Sequence, residues 1–221
     1  MTEPTVIRTP WTAIGLGISF LGIPAITEAY RALGGVSVEV APLLLREGAI
    51  FALLGGLLLI VLRLERLPLS SIGLGRNGIG GTLLWSLLLL VLLAASIALA
   101  LVLLHVLGLH YGGDHAAAAP PLWITACVVL RAGIVEEVFY RGYSIERIQA
   151  LTGSRSIAAI VPLIAFALFH YRQGIAGIII AAILGGVLTA FYLWRRNLAA
   201  NILGHFAVDF IPNVLLPAIG A

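Results

Sequence analysis

The sequence has little charge, no lysine and almost no cysteine, and each shortage excludes a class of protein. Only 10% of the residues are charged, whereas a soluble domain carries about 25%. This shortage excludes a nucleic-acid-binding module and nearly all water-soluble folds. The one cysteine, Cys127, excludes an intramolecular disulfide and a multi-cysteine metal site. All 13 basic residues are Arg, which we interpret as compositional bias and not as a binding surface.

Apolar residues are what the chain has in excess. They make up 61% of the sequence, and a run of about 20 of them spans the hydrocarbon core of a bilayer. The runs predict an all-α, polytopic transmembrane helix bundle of about seven spans, with a single membrane domain over residues 1–221. The predicted spans are Trp11–Tyr30, Pro42–Leu62, Ile79–Leu107, Pro121–Arg147, Ser156–His170, Ile175–Trp194 and Leu198–Leu216.

The distribution of Arg between the predicted loops indicates the orientation. Cytoplasmic loops carry an excess of basic residues, and here every second loop is Arg-rich while the loop at 105–121 has none. We therefore expect a cytoplasmic N-terminus and an outer C-terminus. The Arg residues that carry this expectation are Arg8, Arg63, Arg66, Arg76, Arg155, Arg195 and Arg196. As a separate expectation, the protein resides in the plasma membrane of a bacterium or archaeon.

Ionisable residues inside the second half of the chain stand out, because each costs at least about 2.5–3.5 kcal/mol in a membrane span. In the fourth predicted span Glu137 and Arg141 are four residues apart and share a helix face, so they can form an ion pair. Glu136 is rotated by about 100° from Glu137. We therefore expect Glu137 to be structural and Glu136 to be free of a cationic partner and available for chemistry.

Three of the predicted spans, the fourth, fifth and seventh, bring such groups to a similar depth. At a rise of 1.5 Å per residue, Glu136, His170, His205 and Asp209 lie roughly 12 to 22 Å from the cytoplasmic edge. His205 and Asp209 also lie four residues apart on one helix face. Mutual hydrogen bonds that hold the bundle together are one explanation. A functional cavity explains the whole set better, since intramembrane ionisable groups persist where they serve a site.

These residues resemble the three signature motifs of the CAAX-protease and bacteriocin-processing family of intramembrane proteases. This family is also called the abortive-infection or type II CAAX prenyl endopeptidase family. The resemblance covers Pro121–Leu216, and the last motif position, Asn in many members, is Asp209 here. The motifs read Glu136-Glu137-x-x-x-Arg141, Phe166-x-x-x-His170 and His205-x-x-x-Asp209.

The resemblance implies an intramembrane endopeptidase that hydrolyses peptide bonds of membrane-associated or prenylated, CAAX-like substrates without a covalent intermediate. Glu136 would activate water and His170 would position it. His205 with Asp209 would stabilise the oxyanion or bind a metal. Glu137 and Arg141 would support the site. The implied partners are a peptide or protein substrate and the lipid bilayer, with no nucleic acid.

The sequence does not decide whether the site holds a metal ion, and it allows some alternative functions better than others. Glu136, His170, His205 and Asp209 have the donor atoms that zinc accepts, yet HExxH is absent, and a metal-free glutamate mechanism is equally compatible. A serine protease lacks its GxSxG motif, and an aspartyl dyad lacks a second intramembrane Asp. A proton-coupled transporter also uses buried Glu, His and Asp, but no internal repeat is evident. A non-catalytic membrane scaffold or immunity protein is a further alternative.

Overall fold

The computed structural model describes residues 10–33, 39–75, 77–110 and 120–220. Arg8 and Arg76, which contribute to the predicted orientation, lie outside the described residues. The described chain is helical and contains no strand, which confirms the all-α fold class. Its seven principal helices are α1 (Pro10–Ala32), α2 (Val40–Leu64), α3 (Ile79–Val106), α4 (122–152), α5 (Arg155–Leu168), α6 (Gly174–Arg195) and α7 (Leu198–Ala218).

Five of the seven helices are long and apolar enough to cross a membrane, namely α1, α2, α3, α6 and α7. The other two predicted spans differ for separate reasons. Helix α4 carries the charged residues of the first motif, and its central part, Ala132–Ile145, is π-helical between α-helical ends. Helix α5 has 14 residues, a length of about 21 Å at 1.5 Å per residue, against a hydrocarbon thickness of about 30 Å.

The outer surface of the bundle exposes many large apolar side chains, as expected for a surface that faces lipid. Helix α3 exposes Leu83, Leu84, Leu87, Val91 and Leu99, each by more than half of its surface. Water would make so continuous an apolar surface costly, whereas lipid does not. Glu137, Arg141, Asn201 and His205 of the second half are instead buried inside the bundle.

Close helix packing brings α4, α5, α6 and α7 together around the polar residues. Gly133 of α4 lies against Phe206 of α7, where an added Cβ would come within 3.0 Å of the Phe206 backbone nitrogen. Gly185 of α6 lies under Phe166 of α5, where a Cβ would be 2.8 Å from the ring. Small residues permit this approach of helices in membranes. It positions the motif residues of α4, α5 and α7 within reach of one another.

Two capped helix starts fix where α5 and α7 begin. The Ser154 hydroxyl accepts a hydrogen bond from the Ile157 amide at 3.2 Å, and the Asn197 side chain accepts one from the Ala200 amide at 3.1 Å. Such caps satisfy amides that have no partner inside the helix. They set the register that carries His170 and His205 to the site.

Candidate active site

A cavity of about 370 Å³ lies among the helices of the second half and α3. Glu136, His170, His205 and Asp209 all line it. Its wall is otherwise largely apolar, from side chains such as Leu93 and Leu188. The structure thus brings the four predicted catalytic residues to one cavity. The two predicted supporting residues, Glu137 and Arg141, lie behind its wall.

Glu136 is paired with an arginine, and the expectation that it lacks a cationic partner is wrong. Its Oε1 accepts a hydrogen bond from Arg131 Nη1 at 3.0 Å. The two residues are five positions apart, which an α-helix would separate by about 140°. The π-helix that begins at Ala132 has hydrogen bonds between residues five apart and a wider turn, which brings residues at this spacing closer to one side. Glu136 keeps 15% of its side chain exposed.

Glu137 is completely buried and joins three polar partners. Its Oε1 accepts from Arg141 Nη1 at 2.8 Å and from His205 Nδ1 at 2.9 Å. Its Oε2 accepts from Asn201 Nδ2 at 3.1 Å. The ion pair with Arg141 is the one that the four-residue spacing predicts. Because Glu137 also holds a histidine of α7, it connects the first and third motifs directly.

The His205 ring lies between two carboxylates. Nδ1 donates to Glu137, and Nε2 lies 3.4 Å from Asp209 Oδ2. The bond to Glu137 fixes the ring, so that Nε2 is directed towards the cavity and Asp209. Asp209 has 34% of its side chain accessible, against 9% for His205.

His170 is fixed by its own helix end. Its Nδ1 lies 2.8 Å from the Phe166 carbonyl oxygen, which can only accept, so Nδ1 carries the hydrogen. In the neutral ring Nε2 is then an acceptor. The ring also packs on Phe166 with centroids 4.8 Å apart. The motif spacing of four residues thus serves both contacts at once.

Arg141 fastens the site to the other helices as well as to Glu137. Nη2 donates to the Gly185 carbonyl oxygen at 3.2 Å, and the guanidinium lies 4.3 Å from the centre of the Phe166 ring. Only a side chain with a planar array of donors can make these contacts together. Arg141 therefore ties α4 to α5 and α6 beneath the cavity.

Three polar residues near the site were not predicted from the sequence. Asn201 precedes His205 by one helical turn, so the spacing of the third motif could have indicated it. The pairing of Arg131 could not be predicted from helical spacing, because its partner Glu136 is five residues away and not four. Glu47 of α2 accepts from Arg131 Nε at 2.7 Å, a contact between distant parts of the chain that no local pattern indicates.

The donor atoms in the described part of the chain are not arranged as a metal site. No three His, Cys, Asp or Glu side chains among these residues are grouped so that they could hold an ion. The Nδ1 atoms of His170 and His205 are both engaged by protein acceptors, so Nε2 is the remaining ring nitrogen of each. Metal-bound histidines are held by their second nitrogen in the same way, so these two contacts do not decide between a zinc site and a metal-free site. We derive no reaction step through zinc.

Comparison with known proteins agrees with the motifs. Residues 118–211 match the family described as "Type II CAAX prenyl endopeptidase Rce1-like". The matched segment runs from just before α4 into α7, and it contains every motif residue. No curated protein and no solved structure gives a match to the chain.

Proposed function

Through residues 118–211 the chain belongs to the type II CAAX prenyl endopeptidase Rce1-like family, and we propose that it is an intramembrane endopeptidase that uses a glutamate-activated water. The family is one of CAAX-type proteases, and the apolar helices make this chain an integral membrane protein. The observation that carries the proposal is the convergence of Glu136, His170, His205 and Asp209 on one cavity.

The proposed reaction begins with a water molecule between Glu136 and the scissile carbonyl. Glu136 takes a proton as the water oxygen bonds to the carbonyl carbon, and His170 Nε2 accepts a hydrogen bond that orients the water. In this proposal His205 carries a proton on each ring nitrogen, so that Nδ1 donates to Glu137 while Nε2 donates to the oxyanion that forms. The C–N bond then breaks, and the proton on Glu136 passes to the leaving amine. No covalent bond to the enzyme forms.

The cavity supports a substrate with apolar side chains at the membrane. Besides polar side chains, the wall contains leucines, valines and alanines together with Phe166 and Ile180, and apolar side chains combined with a few polar groups are typical of ligand-binding cavities. We propose a peptide or protein substrate held in or at the bilayer, including prenylated, CAAX-like peptides. The orientation with a cytoplasmic N-terminus in a prokaryotic plasma membrane remains part of this proposal.

The central test is Glu136→Gln in the purified protein, assayed in detergent with quenched peptides, prenylated and unprenylated. The amide keeps the size of the side chain but cannot take the proton, so we expect normal insertion and a loss of about 10²–10⁴ in rate. Proteolysis close to the wild-type rate in this variant would contradict the assignment of the base.

Glu146→Gln is a matched control for that variant. Glu146 has 14% of its side chain exposed and pairs with Arg196, much as Glu136 pairs with Arg131, but it lines neither this cavity nor the second one described below. We expect Glu146→Gln to keep the wild-type rate.

A separate measurement tests the alternative function. Proton flux in liposomes without hydrolysis of any peptide would favour a proton-coupled transporter over a protease.

A further inference from the structure

A series of ion-paired side chains with alternating charge connects α2 to the candidate base, Glu136. Arg46 Nε donates to Glu47 Oε1 at 2.8 Å, and Glu47 Oε2 accepts from Arg131 Nε at 2.7 Å. Arg131 Nη1 in turn donates to Glu136 Oε1 at 3.0 Å. This series of ion pairs starts at Arg46, outside the family-matched segment, and ends at Glu136, the residue proposed to activate water.

The central residues of this series of ion pairs are well buried. Glu47 and Arg131 have side-chain exposures of 5% and 10%, so their contacts are shielded from competing water. Two charges removed from water are favourable only when their geometry is good and their other polar atoms are satisfied. Arg131 meets that condition because different nitrogens of its planar fork serve the two glutamates.

The pair Arg131–Glu136 also lies where two cavities adjoin. Both residues line the cavity of the candidate site and a second cavity of about 260 Å³, which α1 and α2 help to form through Thr27 and Arg46. Glu136 Oε2 has no hydrogen-bond partner in the described part of the chain. One oxygen is therefore held by Arg131, while the other can face water in the cavity.

We propose that Glu47 and Arg131 are positioning residues that hold Glu136 in the geometry needed to activate water. Glu47 fixes Arg131, and Arg131 fixes one oxygen of Glu136. The proposal rests on the proposed function of Glu136, and it gives helix α2 a role in the reaction. Reactions of this kind depend on placement, since a displacement of about 1 Å can lower a rate by about 100-fold.

The kinetic test is Glu47→Gln, with Glu65→Gln as its matched control. Both glutamates are buried residues of the first half that accept from an arginine of α4, but Glu65 lines neither cavity. We expect Glu47→Gln to lower kcat by up to about 100-fold with little change in KM. Glu65→Gln lowers the yield of folded protein and leaves kcat per folded molecule unchanged.

Arg131→Lys tests the fork itself. Lysine keeps the positive charge but has a single nitrogen, so it cannot hold Glu47 and Glu136 in the observed geometry. We expect a loss of kcat comparable to that of Glu47→Gln. If either variant keeps the wild-type kcat, the proposal is overturned.

A second measurement needs no proteolysis and separates this proposal from the proposed function. The Tm shifts of Glu47→Gln and Glu136→Gln should be non-additive in the double variant, because both act on Arg131. The shifts of Glu65→Gln and Glu136→Gln, which share no partner, should add. Additive shifts for Glu47 and Glu136 overturn the positioning role even where no peptide is cleaved. Absent proteolysis with non-additive shifts overturns the protease assignment alone.

Discussion

Two polar clusters among the described residues are similar in composition, but only one of them has atoms that face a cavity. The cavity cluster comprises Glu47, Arg131, Glu136, Glu137, Arg141, His170, His205 and Asp209. The closed cluster comprises Thr12, Glu65, Ser71, Tyr143 and Arg147. Each joins the first half of the chain to α4 through an ion pair between glutamate and arginine.

The closed cluster satisfies its carboxylate completely. Glu65 Oε1 accepts from Thr12 Oγ1 at 3.0 Å and Tyr143 Oη at 2.9 Å. Its Oε2 accepts from Arg147 Nε at 3.0 Å and Nη2 at 2.8 Å. None of these residues lines the two cavities described above. Such a cluster can hold helices together, but it offers no atom to a substrate.

The cavity cluster, in contrast, leaves acceptor atoms facing an open volume. Within the described residues, Glu136 Oε2 and His170 Nε2 have no hydrogen-bond partner. A polar group kept without a protein partner beside a cavity is available to water or substrate. Buried charged side chains therefore occur both in a structural cluster and in a candidate catalytic one. The candidate catalytic cluster is distinguished by polar atoms that face a cavity without a protein partner.

The largest effect is expected where the cavity cluster is also structural, at Arg141→Ala. This change leaves Glu137 buried without its cation, at a cost of about 3–5 kcal/mol in the free energy of unfolding. We expect lower abundance in the membrane and lost activity, because Glu137 also holds His205. The double variant Glu137→Gln, Arg141→Gln should recover part of the abundance. Equal accumulation of wild type, single and double variants would show that the pair is not structural.

The closed cluster should respond in stability alone. Tyr143→Phe removes a hydroxyl that donates to ionised Glu65, worth about 1.5–3 kcal/mol in the free energy of unfolding. We expect a lower Tm and an unchanged kcat per folded molecule. Tyr171→Phe is the control, since its hydroxyl donates to Glu28 at an exposed site, and its Tm shift should be smaller. A kcat defect in Tyr143→Phe would break the distinction between the clusters.

The sequence indicates the helices through their apolar runs, and it indicates the four cavity residues because ionisable groups are unusual in such runs and here form motifs that resemble those of a known family. Apolar runs locate the helices, and the spacing of four residues identifies Glu137 with Arg141 and His205 with Asp209. The π-helix of α4 is not visible in that periodicity, so the pairing of Glu136 with Arg131 could not be predicted. The role of Glu47 is invisible for a different reason, since its contact depends on how α2 packs against α4.

The smallest effect is expected at Asp209→Asn, which tests how the cavity cluster meets the oxyanion. Asp209 Oδ2 lies 3.4 Å from His205 Nε2, so the carboxylate can orient the ring that donates to the oxyanion. An amide still offers an acceptor to His205 and adds a donor of its own. We expect kcat to change by less than about tenfold, equivalent to roughly 1.4 kcal/mol.

A metal-binding role for Asp209 predicts a different result. A neutral amide is a poorer ligand than a carboxylate, so Asp209→Asn would then lose activity and regain it with added zinc. The measurement is peptide hydrolysis by wild type and variant, each with a chelator and with zinc. Activity of the variant that survives the chelator supports the oxyanion role. Activity abolished by the substitution and restored by zinc would overturn it, because hydrogen bonding to His205 gives no reason for a requirement for metal.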